Sequence, residues 1–120
     1  MEVLLITLLM TKHVIADYFM QYGWMIKDKA TYGAWGGLAH AKLHGIFTFW
    51  VLFLCGIPTM FSFALAVFDS VVHYHVDYTK SNVWKNKKLG PADQQYWMIH
   101  GLDQFAHFLT YVAIVVMCTM

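Results

Sequence analysis

The sequence has no arginine, a single glutamate (Glu2) and few charged residues of any kind, which make up 12 % of its 120 residues. Apolar residues account for 59 % of the chain, whereas an ordinary soluble domain is roughly half apolar. The formal net charge of +1 offers no basic surface for nucleic acid, so we expect no nucleic-acid partner. This composition indicates an integral membrane protein whose main partner is the lipid bilayer.

Cysteine and glutamate, two other common metal ligands, are also scarce. The two cysteines, Cys55 and Cys118, fall near the ends of apolar segments, and we interpret them as packing residues. The sequence has no HExxH motif, which argues against a zinc protease of the thermolysin or metzincin kind. It also has no Glu-x-x-His pair, which departs from the ferritin-like di-iron pattern. A metal site in this chain would therefore consist of histidine and aspartate.

Four apolar stretches each come near the roughly 20 residues that a helix needs to cross a bilayer. They cover about residues 2–22, 35–56, 58–79 and 95–118. The first has no basic segment before it and no cleavage pattern after it, so we expect a retained helix rather than a removable signal peptide. The sequence predicts an all-α fold, a polytopic four-helix bundle that forms one domain over residues 1–120.

The positions of the lysines predict the orientation of this bundle. The connections at about 23–34 and 80–94 contain lysines, whereas the turn at 55–58 contains no charged residue. Because cytoplasmic loops of membrane proteins are enriched in basic residues, we expect both basic connections in the cytoplasm and both termini outside. The predicted location is the bacterial inner membrane, for a bacterial or phage protein.

Ionisable side chains recur at helical spacing near the cytoplasmic end of each predicted helix. In the third helix Asp69, His73 and Asp77 span only about 80° of the circumference, so they share one face. The first helix has an HxxxD pair, the second an HxxxH pair, and the fourth two histidines and an aspartate within about 60°. Ten side chains are expected to converge on one pocket in the cytoplasmic half: His13, Asp17, His40, His44, Asp69, His73, Asp77, His100, Asp103 and His107.

So many ionisable groups within a membrane bundle predict a bound cation. Each would be costly to bury without a compensating charge, which one or more divalent metal ions would supply. Imidazole and carboxylate ligands without thiolate suit zinc, and also iron or manganese. Since one zinc ion needs three or four protein ligands, ten candidates predict two or more ions. A proton relay and a purely structural polar core are the alternatives.

Two lysines accompany these faces. Lys12 lies near mid-membrane, where it either binds a substrate phosphate or pairs with an unmatched acid such as Asp69. Lys80 follows the third helix and is a candidate to bind an anion.

The segments HVIADYFMQ, HAKLH, HYHVDYTK and LDQFAH resemble the recurring motifs of a domain-of-unknown-function family of short bacterial and phage inner-membrane proteins. The resemblance covers nearly the whole chain and implies a four-helix membrane fold. More loosely, the chain is similar to membrane-bound metal-dependent hydrolases, because its HxxxD spacing resembles that of zinc phospholipase C. The residues that match the family motifs are His13, Asp17, Gln21, His40, His44, His73, Asp77, Lys80, Asp103, Gln104 and His107.

The function predicted from these features is metal-dependent hydrolysis of a phosphoester at the cytoplasmic membrane surface, with a lipid or nucleotide-like substrate. Asp17 or Asp77 would act as general base or orient an imidazole, and Lys80 or Lys12 would hold the anion. A second hypothesis is a di-iron membrane oxygenase. A third is a non-enzymatic metal-binding, proton-relay or transport protein. The sequence leaves a homo-oligomer open.

Overall fold

The computed structural model describes all 120 residues, and every regular element is a helix, which confirms the predicted all-α fold. The first helix, α1, continues into a π-helical segment, and a short helix α2 lies in the first connection. Three long helices complete the chain. The bounds are α1 Glu2–Val14, the π segment Ile15–Phe19, α2 Gly23–Ile26, α3 Trp35–Leu54, α4 Thr59–Asn86 and α5 Gln94–Thr119.

The four longest helices form a ring in which each packs against two others. Helix α1 contacts α3 and α5, and α4 contacts the same two helices from the opposite corner. The bundle is elongated, with principal extents of 44 × 27 × 22 Å. The axis of this ring is therefore the place where side chains from four helices can meet.

A glycine turn joins α3 to α4. The amide of Ile57 donates to the carbonyl of Leu52, and the amide of Gly56 donates to the carbonyl of Phe53, each at 3.0 Å. This pair of hydrogen bonds is the Schellman arrangement, and it requires the left-handed backbone that Gly56 adopts with φ of 87°. Pro58 directly precedes α4, where a missing amide hydrogen costs no intrahelical bond. The tight turn leaves α3 and α4 antiparallel and in close contact.

Helix α4 is longer than the predicted third helix, because it continues to Asn86 rather than ending near residue 79. The polar run after Asp77 contains no glycine or proline before Gly90, so nothing in it stops the helix. Trp84 in this extension stacks on Tyr96 of α5 with 3.9 Å between ring centroids. The extension places Lys80 and Trp84 on a helix instead of in the predicted loop.

The interior and surface of the bundle are reversed relative to a soluble protein. Of 28 buried residues, 13 are polar or charged, 12 are apolar and 3 are glycines. Many large apolar side chains are exposed instead. Helices α3 and α5 are long and apolar enough to cross a membrane. One face of α5 presents to the exterior a row of apolar side chains, Leu102, Phe105, Leu109, Val112 and Val116. These features support membrane association, while the four-span topology and its orientation stay predictions.

The ring encloses two different cores. An apolar core fills the half that contains the α3–α4 turn, and its members are Leu5, Leu9, Leu52, Leu65, Tyr111, Ile114 and Val115. The other half is filled by buried histidines, aspartates and lysines. The apolar core holds the four helices at fixed distances, so the polar side chains next to it are held at fixed distances too.

Candidate metal centre

Asp17 is the central carboxylate of the polar half, and it lies in the π-helical segment. Its Oδ1 atom is 2.9 Å from Nε2 of His40 and 2.8 Å from Nε2 of His44. The same oxygen lies 3.8 Å from Nε2 of His73. Its Oδ2 atom is 3.1 Å from Nε2 of His13. One carboxylate thus meets four imidazoles from three helices, and π-helical turns of this kind are frequent at functional sites.

Asp77 is a second carboxylate that gathers imidazoles. Its Oδ2 lies 3.1 Å from Nε2 of His73 and 3.6 Å from Nε2 of His40. Its Oδ1 lies 3.3 Å from Nε2 of His107. Asp17 and Asp77 therefore share His40 and His73 between them, which makes one continuous polar cluster.

Two groups within this cluster could hold a metal ion. The first consists of Asp17, His40, His44 and His73, and the second of His73, Asp77 and His107, with the ligand atoms of each group within 4.8 Å of one another. Zinc bound tetrahedrally at 2.0–2.1 Å has ligand atoms about 3.4 Å apart. The observed separations bracket that spacing, so the side chains need little movement to coordinate an ion.

Several buried atoms in the cluster lack a hydrogen-bond partner. Both ring nitrogens of His73, Nδ1 of His40 and Oδ1 of Asp103 make no hydrogen bond. Leaving a buried polar atom unpaired costs about 1–3 kcal/mol, and native proteins therefore rarely do so. His73 lies between the carboxylates of Asp17 and Asp77 with neither nitrogen bonded, so the chemistry of these donor atoms fits a cation.

Three lysines, two of them buried, neutralise three of the four aspartates that line the polar interior. Asp17 is the exception, because only imidazoles and no lysine contact its carboxylate. With neutral histidines the cluster therefore keeps one unmatched negative charge, which a divalent cation would offset. The three ion pairs are Lys12–Asp69 at 2.8 Å, Lys29–Asp77 at 2.9 Å and Lys80–Asp103 at 3.0 Å.

The structure brings eight of the ten predicted ligand side chains into contact with one another and separates two. Asp69 accepts from Lys12 and from Thr48 Oγ1 at 2.6 Å, and no histidine contacts it. His100 lies beside Trp84 and Trp97 with ring centroids 6.2 and 6.0 Å away. The prediction that all ten converge is therefore corrected to a cluster of eight, formed by His13, Asp17, His40, His44, His73, Asp77, Asp103 and His107.

Lys12 orients His44 as well as neutralising Asp69. Its ammonium lies 3.1 Å from Nδ1 of His44. A lysine ammonium only donates, so Nδ1 of His44 accepts and the ring proton lies on Nε2, where it donates to Asp17. Of the two sequence-based interpretations of Lys12, the salt bridge to an acid is the one found, and its buried ammonium has Asp69 and both the ring and the carbonyl of His44 as partners.

His13 is held in a similar way by two neutral partners. Its Nδ1 lies 2.7 Å from the hydroxyl of Tyr111, and its Nε2 lies 2.7 Å from Oε1 of Gln104. The amide nitrogen of Gln104 donates to Asp103, which fixes the amide so that its oxygen faces His13. Nε2 of His13 therefore carries the proton and donates to Gln104 and Asp17, so His13 positions the Asp17 carboxylate.

Sequence reasoning missed Lys29 and Tyr111. Lys29 follows α2 in the first connection, which folds back so that its ammonium reaches Asp77 and is almost fully buried. Helical periodicity gives no signal for a residue in a connection. Tyr111 is one aromatic residue in an apolar stretch, and its hydroxyl contact with His13 has no sequence signature.

The chain belongs to the family described as Protein of unknown function (DUF3307), whose model matches residues 4–120. This match confirms the resemblance to a family of unknown function. No curated protein and no solved structure matches the chain. Family membership assigns no activity, so the similarity to metal-dependent hydrolases stays a hypothesis.

Proposed function

We propose that this chain is a membrane-embedded, metal-dependent hydrolase that cleaves a phosphoester at the cytoplasmic surface of the bacterial inner membrane. The observation that supports this proposal most strongly is the pair of ligand groups that meet at His73, an imidazole with no hydrogen-bond partner on either nitrogen. Zinc is the proposed ion, because the donors are imidazole and carboxylate without thiolate.

The two groups divide into two proposed sites. One imidazole lone pair binds one ion, so His73 belongs to a single site. His73, Asp77 and His107 supply three protein ligands, the number typical of catalytic zinc, which keeps a fourth position open for water or substrate. Asp17 and His40 would supply two protein ligands to a second ion, with His44 donating a hydrogen bond to Asp17, so water or substrate would have to complete its coordination. A bound ion lowers the pKa of its water and stabilises charge that develops on phosphoryl oxygens.

Asp103 is the proposed general base. Its Oδ1 atom is buried, makes no hydrogen bond and lies 3.5 Å from Nε2 of His107, beside the three-ligand site. Asp17 and Asp77, the two bases expected from the sequence, instead belong to the ligand groups. In the proposed step the water gives its proton to Asp103 and its oxygen bonds to phosphorus. The ester P–O bond would break, and the departing oxygen would take that proton from Asp103 and leave as an alcohol, which regenerates the carboxylate.

Lys80 is the proposed anion-binding residue. Its ammonium lies 3.0 Å from Oδ2 of Asp103 and 5.0 Å from the ring centroid of Trp84. Asp103 keeps Lys80 charged and points it toward the side of the cluster that contains His107. A phosphoryl oxygen bound there would accept a charge-assisted hydrogen bond while its phosphorus faces the three-ligand site.

Hydrolysis by purified protein tests this proposal. Full-length protein in detergent, loaded with zinc, should release alcohol from a chromogenic phosphodiester, a phosphomonoester or a phospholipid. Asp103→Asn should lower kcat at least about 100-fold while zinc content is unchanged, because the general base is lost and the ligands are kept. His100→Ala is the matched control, since His100 lies on α5 outside the cluster, beside Trp84 and Trp97. Zinc-loaded protein that hydrolyses none of the three substrate classes would refute the hydrolase proposal.

A di-iron oxygenase is the second candidate, because imidazole and carboxylate also bind iron. Bound iron together with oxygen-dependent turnover would favour it over hydrolysis. Transport across the bilayer is less well supported, since the core of the opposite half consists of Leu5, Leu9, Leu52, Leu65 and other apolar side chains. Metal flux into liposomes that contain the protein would overturn that judgement.

A further inference from the structure

A groove of about 620 Å³ lies between α4 and α5, beside the histidine and aspartate cluster. Its walls are apolar and include Val72, Val76 and Val83 from α4 and Ile99 and Leu102 from α5. The volume falls within the roughly 300–1,000 Å³ of small-molecule sites. Since Leu102 and its neighbours along α5 form the exposed apolar face, the groove faces the surroundings of the bundle and not its axis.

The polar residues of the groove are concentrated on the side next to the cluster. Thr79 donates to the carbonyl of His75, and His75 itself bonds to Val71 and Tyr32, so neither is available to a ligand. The remaining polar lining consists of Lys80 and Asp103. Asp103 Oδ1 lies 3.5 Å from His107 Nε2, so one carboxylate separates the groove from the proposed three-ligand site.

Charge favours an anionic occupant at this end. Beyond Lys80, α4 leads to Lys85, Lys87 and Lys88, which are exposed and form no ion pair. Apolar walls with the Lys80 ammonium at one end, and three exposed lysines further along the chain at the same end of α4, match an amphiphile with an apolar chain and a phosphate. A nucleotide would leave the valine, isoleucine and leucine walls without an apolar partner.

A second groove provides a comparison, because it has apolar walls but no contact with the cluster. It lies between α3 and α4, measures about 480 Å³ and has similar apolar walls, including Phe49 and Val67. Its lysine, Lys42, lies over the ring of Trp35 at 5.1 Å, and its Ser70 donates to the carbonyl of Ala41. None of its lining residues belongs to a ligand group. Apolar volume is thus common to both grooves, and contact with the cluster is specific to the α4–α5 groove.

We propose that the substrate is a phospholipid or single-chain lysophospholipid that enters sideways from the bilayer, with an acyl chain between α4 and α5 and its phosphate at Lys80. This inference rests on the proposed function for the chemistry at the phosphate. It narrows the substrate class to lipids and gives the site a lateral opening. The groove binds the acyl chain whether or not an ion is present, so binding can be measured without turnover.

The test uses a non-hydrolysable phosphonate analogue of lysophosphatidic acid with a photoreactive diazirine in its acyl chain, added to full-length zinc-loaded protein in detergent. Labelled peptides are mapped by mass spectrometry. We expect labelling concentrated on the groove-lining segments of α4 and α5. Leu102→Trp, at an exposed position that tolerates a larger side chain, should reduce it several-fold, whereas Val67→Trp in the α3–α4 groove should not.

A second variant tests the phosphate position. Lys80→Gln should lower labelling by the lysophosphatidic acid analogue about tenfold, which corresponds to one lost charge-assisted hydrogen bond. Labelling by the matching monoacylglycerol analogue, which has no phosphate, should not change. Lys80→Arg should restore the phosphate preference.

The outcomes separate this inference from the proposed function. Labelling spread evenly over the outer apolar faces, or unaffected by both Leu102→Trp and Lys80→Gln, would overturn the groove proposal even in a protein that binds zinc and hydrolyses a soluble phosphodiester. Groove labelling in a protein that binds no metal and hydrolyses nothing would support the lipid site and refute the hydrolase.

Discussion

Nε2 of His73 lies 3.1 Å from Oδ2 of Asp77, deep in the bundle, and neither ring nitrogen of His73 makes a hydrogen bond. A buried imidazole without a partner on either nitrogen is costly, and a bound cation would remove that cost by taking the lone pair of the ring. The Lys29 ammonium lies 2.9 Å from the same carboxylate oxygen, which balances the charge of Asp77 but leaves the ring of His73 without a partner. The relationship between these two side chains is the basis for the metal predictions below.

Zinc should stabilise the protein. A ligand present at 100 times its Kd stabilises the folded state by about 2.7 kcal/mol, which for a chain of this size raises Tm by about 10 °C. Thermal unfolding followed by intrinsic tryptophan fluorescence, with zinc and with a chelator, measures the shift. His73→Ala should lower the shift, because the site that contains His73 is lost, and His75→Ala should leave it intact. An equal shift in all three proteins would place the bound zinc elsewhere.

Removal of Lys29 should destabilise the metal-free protein more than the loaded one. Lys29→Gln leaves the buried carboxylate of Asp77 without its ammonium partner, and breaking a buried ion pair costs about 3–5 kcal/mol. A bound cation supplies part of the missing charge, so zinc should recover part of that loss. Chemical unfolding with and without zinc measures both values. Lys27→Gln, at an exposed position in the same connection, is the control and should have little effect.

If zinc stabilises Lys29→Gln and the wild type by the same amount, the bound ion does not offset the charge of Asp77, and Asp77 is not a ligand. That result would move the ion to the group around Asp17.

His44 should contribute less to zinc affinity than His107. The Lys12 ammonium fixes the His44 proton on Nε2, so His44 acts as a donor to Asp17 and not as a lone-pair ligand. His44→Gln, which keeps a donor, should weaken zinc binding by about 10–100-fold, the usual effect of losing a residue that orients a ligand. His107→Ala should lose one ion altogether. Competition against a chelator of known affinity distinguishes the two. Loss of a whole ion from His44→Gln would make His44 a ligand.

Gly45 should be intolerant of any side chain. It follows His44 on α3, and a Cβ there would overlap Oγ of Ser70 and lie 3.0 Å from the carbonyl oxygen of Ala66 on α4. The serine can rotate away but the backbone carbonyl cannot, so Gly45→Ala should separate α3 from α4 and cost about 1–3 kcal/mol. Gly101→Ala on α5 is the control, because a Cβ there meets nothing within 4 Å.

Chemical unfolding compares the two alanine variants. Since helix propensity favours alanine, Gly101→Ala should be as stable as the wild type or slightly more so. Equal stability of Gly45→Ala would show that α3 and α4 pack less closely than described.

The sequence predicted the helical fold and the polar faces because helical spacing alone decides which side chains share a face. It could not predict how far along the bundle axis each side chain lies. His100 and His107 share a face of α5, but seven residues separate them by about 10 Å along the axis, and His100 lies beyond the cluster. Asp69 lies eight residues before Asp77 and is too deep on the other side, where Lys12 meets it. Helical periodicity predicts the direction of a side chain around its own helix. Contact between helices also requires that the two side chains lie at the same level along the bundle axis.

The sequence also could not predict the path of the connections between the helices. The path of residues 23–34 depends on tertiary packing, so the burial of Lys29 has no local cause in its neighbours. The extension of α4 through Trp84 depends on a partner in α5, Tyr96, and not on helical periodicity. Both features adjoin the cluster, which is why sequence reasoning identified the side chains of the cluster better than their surroundings.

The most direct test of the account is the metal content of full-length protein purified in detergent without chelators. Elemental analysis should find two zinc ions per chain in the wild type and in His75→Ala, and should find that the double variant with His73→Ala and His107→Ala loses at least one of them. Circular dichroism would establish that all three proteins remain helical. Folded wild-type protein without stoichiometric metal, even after incubation with zinc, would contradict the metal centre and leave a proton relay or a structural polar core.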